Sequence, residues 1–160
     1  MRIALYDATL TEGAREPGVQ LSVRDRLRVA LRLADMGVAW IEAGWPASDP
    51  DVFREARRVD LAGTRLCACA AVGRDGAGAE LRAAIGSGAP AVTVSVDVRR
   101  GGAAAARRVA AAVKAVRRAD REPLVELVGF FDRGAGGRGL AAAVAGARAG
   151  AEAVFLSDAA

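Results

Sequence analysis

Residues 22–45, SVRDRLRVALRLADMGVAWIEAGW, hold one complete step from helix to strand. Ser22 and Asp25 are spaced as a capping box, in which side chain and backbone satisfy each other at a helix start. Apolar residues follow at Val23, Leu27, Val29, Leu31 and Leu33, and Gly37 supplies a stop. The next run, AWIEAGW (39–45), is apolar and β-prone except for Glu42. Ile41 and Ala43 must face the other way from Glu42 on a strand, which leaves two readings for that carboxylate: an inward functional group, or one half of an ion pair with an Arg of a neighbouring strand.

Reading outward, the same alternation repeats. β-type runs fall at 2–8, 39–45, 65–72, 91–98, 123–131 and 151–158. Helix-like stretches lie between them: 22–37, from Asp49-Pro50 to Val59, 78–86, 103–120 and 138–149. Strands alternating with helices imply a parallel sheet of right-handed βαβ units, thus an α/β fold in one domain over 1–160. Strand starts recur every 26 to 37 residues, the pitch of a (β/α)₈ barrel, but six strands and five helices are short of eight each. An open doubly wound sheet fits the same pattern. No G-x-G-x-x-G follows the first strand and no Walker A sequence occurs, so a nucleotide-binding version has little support.

Composition narrows the function classes. The 160 residues are 52% hydrophobic and 26% charged, a globular balance. No apolar run reaches the ~20 residues of a membrane span, and MRIALYDATL lacks the long apolar segment of a secretory signal, so a cytoplasmic protein without membrane partners is expected. The net charge is +4, but the arginines sit on helix-like segments with acids between many of them, which reads as solvated faces rather than a nucleic-acid footprint. There is no histidine, so the commonest general base and metal ligand is missing. Cys67 and Cys69 are read as two buried thiols on opposite faces of a strand, with no disulfide between them. Phe130 and Phe131, neighbours on the fifth strand, are expected in the core, one on each face. Trp45-Pro46 is expected to pack the sheet's mouth.

The loop after the first strand, YDATLTEGARE (6–16), is dense in polar groups. Together with the runs that follow, it carries a resemblance. LYDATLTEGAR is similar to L-Y-D-T-T-L-R-D-G-A-Q, SVRDRLRVA (22–30) to S-V-E-D-K-L-R-I-A, and IEAGWPASDP (41–50) to I-E-G-G-W-P-G-S-N-P. GFFDR (129–133) and FLSDAA (155–160) resemble H-F-F-D-G and V-L-C-D-T-N. These are the motifs of the citramalate synthase, isopropylmalate synthase and homocitrate synthase family, with the citramalate branch nearest. The order holds over the whole chain, and the first 50 residues carry most of the specificity.

That resemblance implies a partial (β/α)₈ barrel with six parallel strands and strands seven and eight absent. It also implies a Claisen condensation of acetyl-CoA with a pyruvate-like 2-oxo acid, as in branched-chain amino-acid biosynthesis. In the family a divalent metal (Mg, Mn or Zn) polarises the oxo group, an Arg steadies the oxyanion and a base takes the acetyl proton. Here the Arg falls at Thr11, the catalytic Glu at Val128, the following His at Gly129, and the metal-binding Asp at Glu12. The fourth-strand signature is replaced by SVDVRR (95–100), and the metal histidines belong to the seventh strand. By the resemblance, Asp7, Glu42, Arg74 and Asp158 are retained on the substrate side, and Arg15 stands where a Gln follows the family's loop. The resemblance therefore assigns Glu42 as the remaining catalytic carboxylate, Asp7, Arg15 and Arg74 to substrate and Glu12 to metal. Beside these stand simpler readings: Glu12 paired with Arg15, and Arg74 as a surface cation. A chain so depleted is expected to be weak or inactive alone, or a non-catalytic scaffold binding a small acid or a partner. Its open sheet edges favour homo-oligomers.

Overall fold

The computed structural model describes residues 3–73, 78–99 and 102–158. Six parallel strands form one sheet in chain order: β1 (Tyr6–Asp7), β2 (Trp40–Gly44), β3 (Arg65–Ala71), β4 (Ala91–Asp97), β5 (Glu122–Val128) and β6 (Ala153–Ser157). The helices are α1 (Thr9–Glu12), α2 (Val23–Asp35), α3 (Asp51–Ala56), α4 (Ala79–Gly86), α5 (Gly102–Arg118) and α6 (Gly136–Ala149). This is the expected partial barrel. One short helix more than foreseen, α1, comes from the polar loop, where the Asp7 carboxylate accepts from the Thr9 amide at 2.9 Å and the Thr9 hydroxyl at 3.0 Å and so starts a helical turn.

The capping box at α2 forms as read. The Ser22 hydroxyl accepts from the Asp25 amide, and the Asp25 carboxylate accepts from the Ser22 amide at 3.3 Å. Hydrogen bonding from Ser22 holds the exposed Asp25 carboxyl below its usual range. Two strand boundaries move. β1 is only two residues long, and Ile3 and Leu5 before it are exposed. β5 stops at Val128 because Gly129 takes φ +71°, a left-handed conformation that ends extended pairing. Phe130 and Phe131 therefore lie past the strand: Phe130 packs on the core, but Phe131 is 65% exposed.

The sheet separates two environments. Its outer face, with Ile41, Ala68, Val92, Val94 and Val125, packs beneath the helices and forms the main core. Alanine and glycine let those helices come close: a Cβ at Gly146 of α6 would lie 3.1 Å from Val109 of α5. The inner face holds Trp40, Cys67, Ala91 and Leu124, with Tyr6, Ala153 and Phe155 packed on them. Cys67 and Cys69 are free and buried, but they share this inner face, as residues two apart on a strand must. At the amino end of the strands the interior is plugged. The Trp40 indole donates to Glu122 at 2.7 Å, and Arg65 pairs with Glu122 at 2.8 Å. Among the described residues no helix is long and apolar enough to cross a membrane.

Candidate functional site

The polar inward residues open into a cleft of ≈ 560 Å³ at the carboxyl end of the strands. A larger hollow of ≈ 670 Å³ lies at the opposite end, among Arg65, Arg117, Asp120 and Glu122. The loops that follow strand carboxyl ends are where parallel α/β folds place their chemistry, and the cleft is built from those loops. It is lined by side chains from five of the six strands, Tyr6 of β1, Glu42 of β2, Ser95 of β4, Glu126 of β5, and Phe155 and Ser157 of β6, and at the rim by Glu12 of α1 with Arg15, Arg99 and Asp158.

Glu42 sits at the floor, only 8% exposed. It faces inward, one of the two readings of the strand pattern. Its partner is not an Arg of a neighbouring strand. The Tyr6 hydroxyl donates to Glu42 Oε2 at 2.5 Å, and the Thr93 hydroxyl lies 3.0 Å from the same phenol oxygen. With the Tyr6 proton committed to Glu42, Thr93 is the donor in the second bond. Among the described residues no cation pairs with Glu42. Burial, and then the Glu42 charge, push the Tyr6 phenol far above its ordinary value, so it stays protonated while the protein is folded. Burial and the same charge also push the Cys67 and Cys69 thiols up. These cysteines are inert thiols rather than nucleophiles.

The rim carries the cations. Arg15 donates to Glu12 at 2.7 Å and lies over the Trp45 ring, 5.4 Å from its centre. Both partners of the Glu12–Arg15 pair are 61% exposed, so the pair contributes little to stability. Arg99 grips Asp97 through Nε and Nη2, and Asp132 lies 3.8 Å away. The Arg99 stem crosses Gly129: a Cβ there would come within 2.6 Å of its Cγ. The missing side chain at 129 is thus what admits Arg99 to the mouth. Arg138 of α6 fixes the loop from below by donating to the carbonyls of Val98 and Arg99.

Of the residues singled out in the sequence, Glu12, Arg15, Glu42 and Asp158 line this one cleft. Asp7 spends its carboxylate on the α1 turn. Arg74 lies outside the described residues. Thr11 is buried, donates to the Ala8 carbonyl at 2.9 Å, and faces a separate pocket of ≈ 200 Å³. Tyr6, Arg99, Glu126 and Ser157 were not singled out as site residues. Glu126 had a signal, a lone carboxylate within the apolar run PLVELV, and in the structure it accepts from the Ser157 hydroxyl at 3.0 Å. Among the described residues no three His, Cys, Asp or Glu side chains gather to hold a metal, and Glu12 is committed to Arg15. The donor set present does not fit the divalent ion that the resemblance implied.

The family profile described as HMGL-like matches residues 2–132. The chain belongs to the HMGL-like family. Among characterised relatives, this HMGL-like chain is 37% identical over 98 residues to (R)-citramalate synthase of Streptomyces coelicolor, covering 56% of the chain and 18% of that enzyme. It is 42% identical over 59 residues to homocitrate synthase of Sulfolobus acidocaldarius, covering 37% of the chain and 13% of that enzyme. The matches thus span less than one fifth of those enzymes' length. Among solved structures, the HMG-CoA lyase of Brucella melitensis superposes with a TM-score of 0.69 at 17% identity, over 96% of this chain and 60% of the lyase. The deoxyribose phosphate aldolase of Aeropyrum pernix gives 0.62 at 19% identity, over 89% and 59%. At these identities the structural likeness speaks for the fold, a barrel of which this HMGL-like chain carries six strands.

Proposed function

We propose that this chain binds a small 2-oxo acid in its mouth cleft and, as a single chain, does not carry an acetyl-CoA condensation through. The observation that carries this reading is that two rim guanidiniums and a buried floor carboxylate share one cleft, while the positions needed for condensation are filled by inert groups. Arg15, which gives Nη1 to Glu12, and Arg99, which gives Nε and Nη2 to Asp97, would meet a ligand carboxylate at the rim with their remaining donors. Thr11, buried and bonded to a backbone carbonyl, offers no fixed cation to a developing oxyanion. Val128 and Gly129 offer neither base nor acid. Losses of this kind each cost several kcal/mol of transition-state stabilisation. The kinship with citramalate and homocitrate synthases supports the ligand class and makes acetyl-CoA the co-substrate of any residual condensation. Arg74 keeps its proposed substrate-side place, Asp7 acts by shaping the α1 turn that carries Glu12, and no metal is routed through Glu12, whose carboxylate pairs with Arg15. Two free thiols favour the cytoplasm, and among the described residues β1 and β6 each pair on one side alone, which favours self-association.

The test is free-CoA release from acetyl-CoA with pyruvate and Mn²⁺. No release above the uncatalysed rate is expected. Turnover by the purified chain would overturn the reading and restore the enzyme.

A further inference from the structure

Glu42 is a buried carboxylate with an unusual set of partners. Its charge is met by a phenol rather than by a cation, and it lines a cleft open to small molecules. The phenol is held on three sides. Its ring lies against Phe155 of β6, with ring centres 4.3 Å apart, and its oxygen lies between Glu42 of β2 and Thr93 of β4. A carboxylate locked to an Arg spends its charge on that partner. One held by a neutral donor keeps its charge for the cleft, while the donor fixes its geometry.

We propose that Glu42 and Tyr6 form a proton-transfer pair that exchanges the hydrogens next to the carbonyl of a bound small 2-oxo acid. Glu42 is the base and Tyr6 its positioning residue. This rests on the reading that the cleft admits such an acid. In the step, a C–H bond of the methyl group breaks, its proton moves to the Glu42 carboxylate, and the electron pair forms the enolate. The negative charge on the enolate oxygen falls in a cleft that also carries Arg15 and Arg99. The acid proton on Glu42 exchanges with solvent, and return of a solvent-derived hydron to carbon restores the ligand and the carboxylate. No oxidant, reductant or second substrate is needed. A half-reaction of this kind survives the loss of the condensation machinery because it uses none of the positions occupied by Thr11, Val128 and Gly129.

The experiment is proton NMR of pyruvate in D₂O with the purified chain, following loss of the methyl signal, with binding heat measured on the same preparation. Exchange above the buffer rate is expected for the wild type. Glu42→Gln should fall to the buffer rate, since a positioned base contributes about 10²–10⁴-fold. Tyr6→Phe should lose about tenfold in kcat at unchanged KM, with a displaced pH profile. Thr93→Val, which leaves the Tyr6–Glu42 bond in place, should retain exchange and guards against a fold defect in the Tyr6 variant. Wild-type exchange at the buffer rate, an active Glu42→Gln, or a Tyr6→Phe with unchanged rate and pH profile would each overturn the pair. Binding heat without exchange leaves the ligand reading standing and removes the pair alone, whereas absence of both removes the two together.

Discussion

The Tyr6→Ala variant is expected to lose about 3 kcal/mol of stability, the low end of the range for truncating a large ring, because Tyr6 is half-buried. β1 has only two residues and pairs with β2 alone, so its backbone adds little to the sheet. Its hold comes from the Tyr6 side chain, which crosses the interior to reach Glu42, Thr93 and, on the opposite edge strand, Phe155. The two edges of the six-stranded sheet thus touch through Tyr6 and Phe155. Removing the ring empties that contact and leaves a buried carboxylate without its donor, a penalty in its own right. Urea unfolding followed by circular dichroism measures the loss. With a slope of about 1–3 kcal/mol per molar urea, the midpoint should fall by more than about 1 M. Tyr6→Phe keeps the ring and should cost about 1–3 kcal/mol. A Tyr6→Ala loss below about 1 kcal/mol would show that the edges are held some other way.

Alkali should unfold the protein steeply. Cys67 and Cys69 start from an ordinary value of 9.0 and Tyr6 from 10.0, and burial raises all three in the folded state. A group whose folded value is raised stabilises the fold fully below its unfolded value and loses that contribution as pH climbs toward the folded one. Above pH 9 the unfolded chain releases thiol protons that the folded chain keeps, and above pH 10 it releases the phenol proton too. Each retained proton lowers stability by about 1.4 kcal/mol per pH unit, so the three together give about 4 kcal/mol per unit beyond pH 10. Thermal midpoints measured from pH 8 to 11 should be flat at first and then drop sharply. Cys67→Ala with Cys69→Ala should shift the onset upward by about one unit, leaving the phenol. A flat profile to pH 11 would mean that the inner face is wet.

The helix-to-strand steps were legible because their signals are local: a capping box at Ser22 and Asp25, a closing Gly37, and charge-poor runs of strand length. The inward turn of Glu42 could be read as one of two options from alternation against Ile41 and Ala43. The ends of elements were harder. β5 looked continuous through Phe131, and only the backbone conformation of Gly129 ends it at Val128. α1 depends on an Asp7 turn that competes with strand extension. The site was least legible where it depends on distant pairs. Tyr6, Thr93 and Phe155 come from strands one, four and six, and their meeting depends on how the sheet curls, which no local pattern encodes. Arg99 reaches the mouth only because position 129 has no side chain, a coupling between two loops that neither stretch reveals alone. Cys67 and Cys69 share one face, because residues two apart on a strand point the same way.

The most direct test is isothermal titration of the chain with pyruvate, with and without Mn²⁺, repeated on Arg15→Ala with Arg99→Ala. A heat of binding that is unchanged by Mn²⁺ and lost in the double variant is the predicted result, because the rim guanidiniums rather than a metal take the carboxylate. No heat from a folded chain, or a heat that appears only with Mn²⁺, would contradict it.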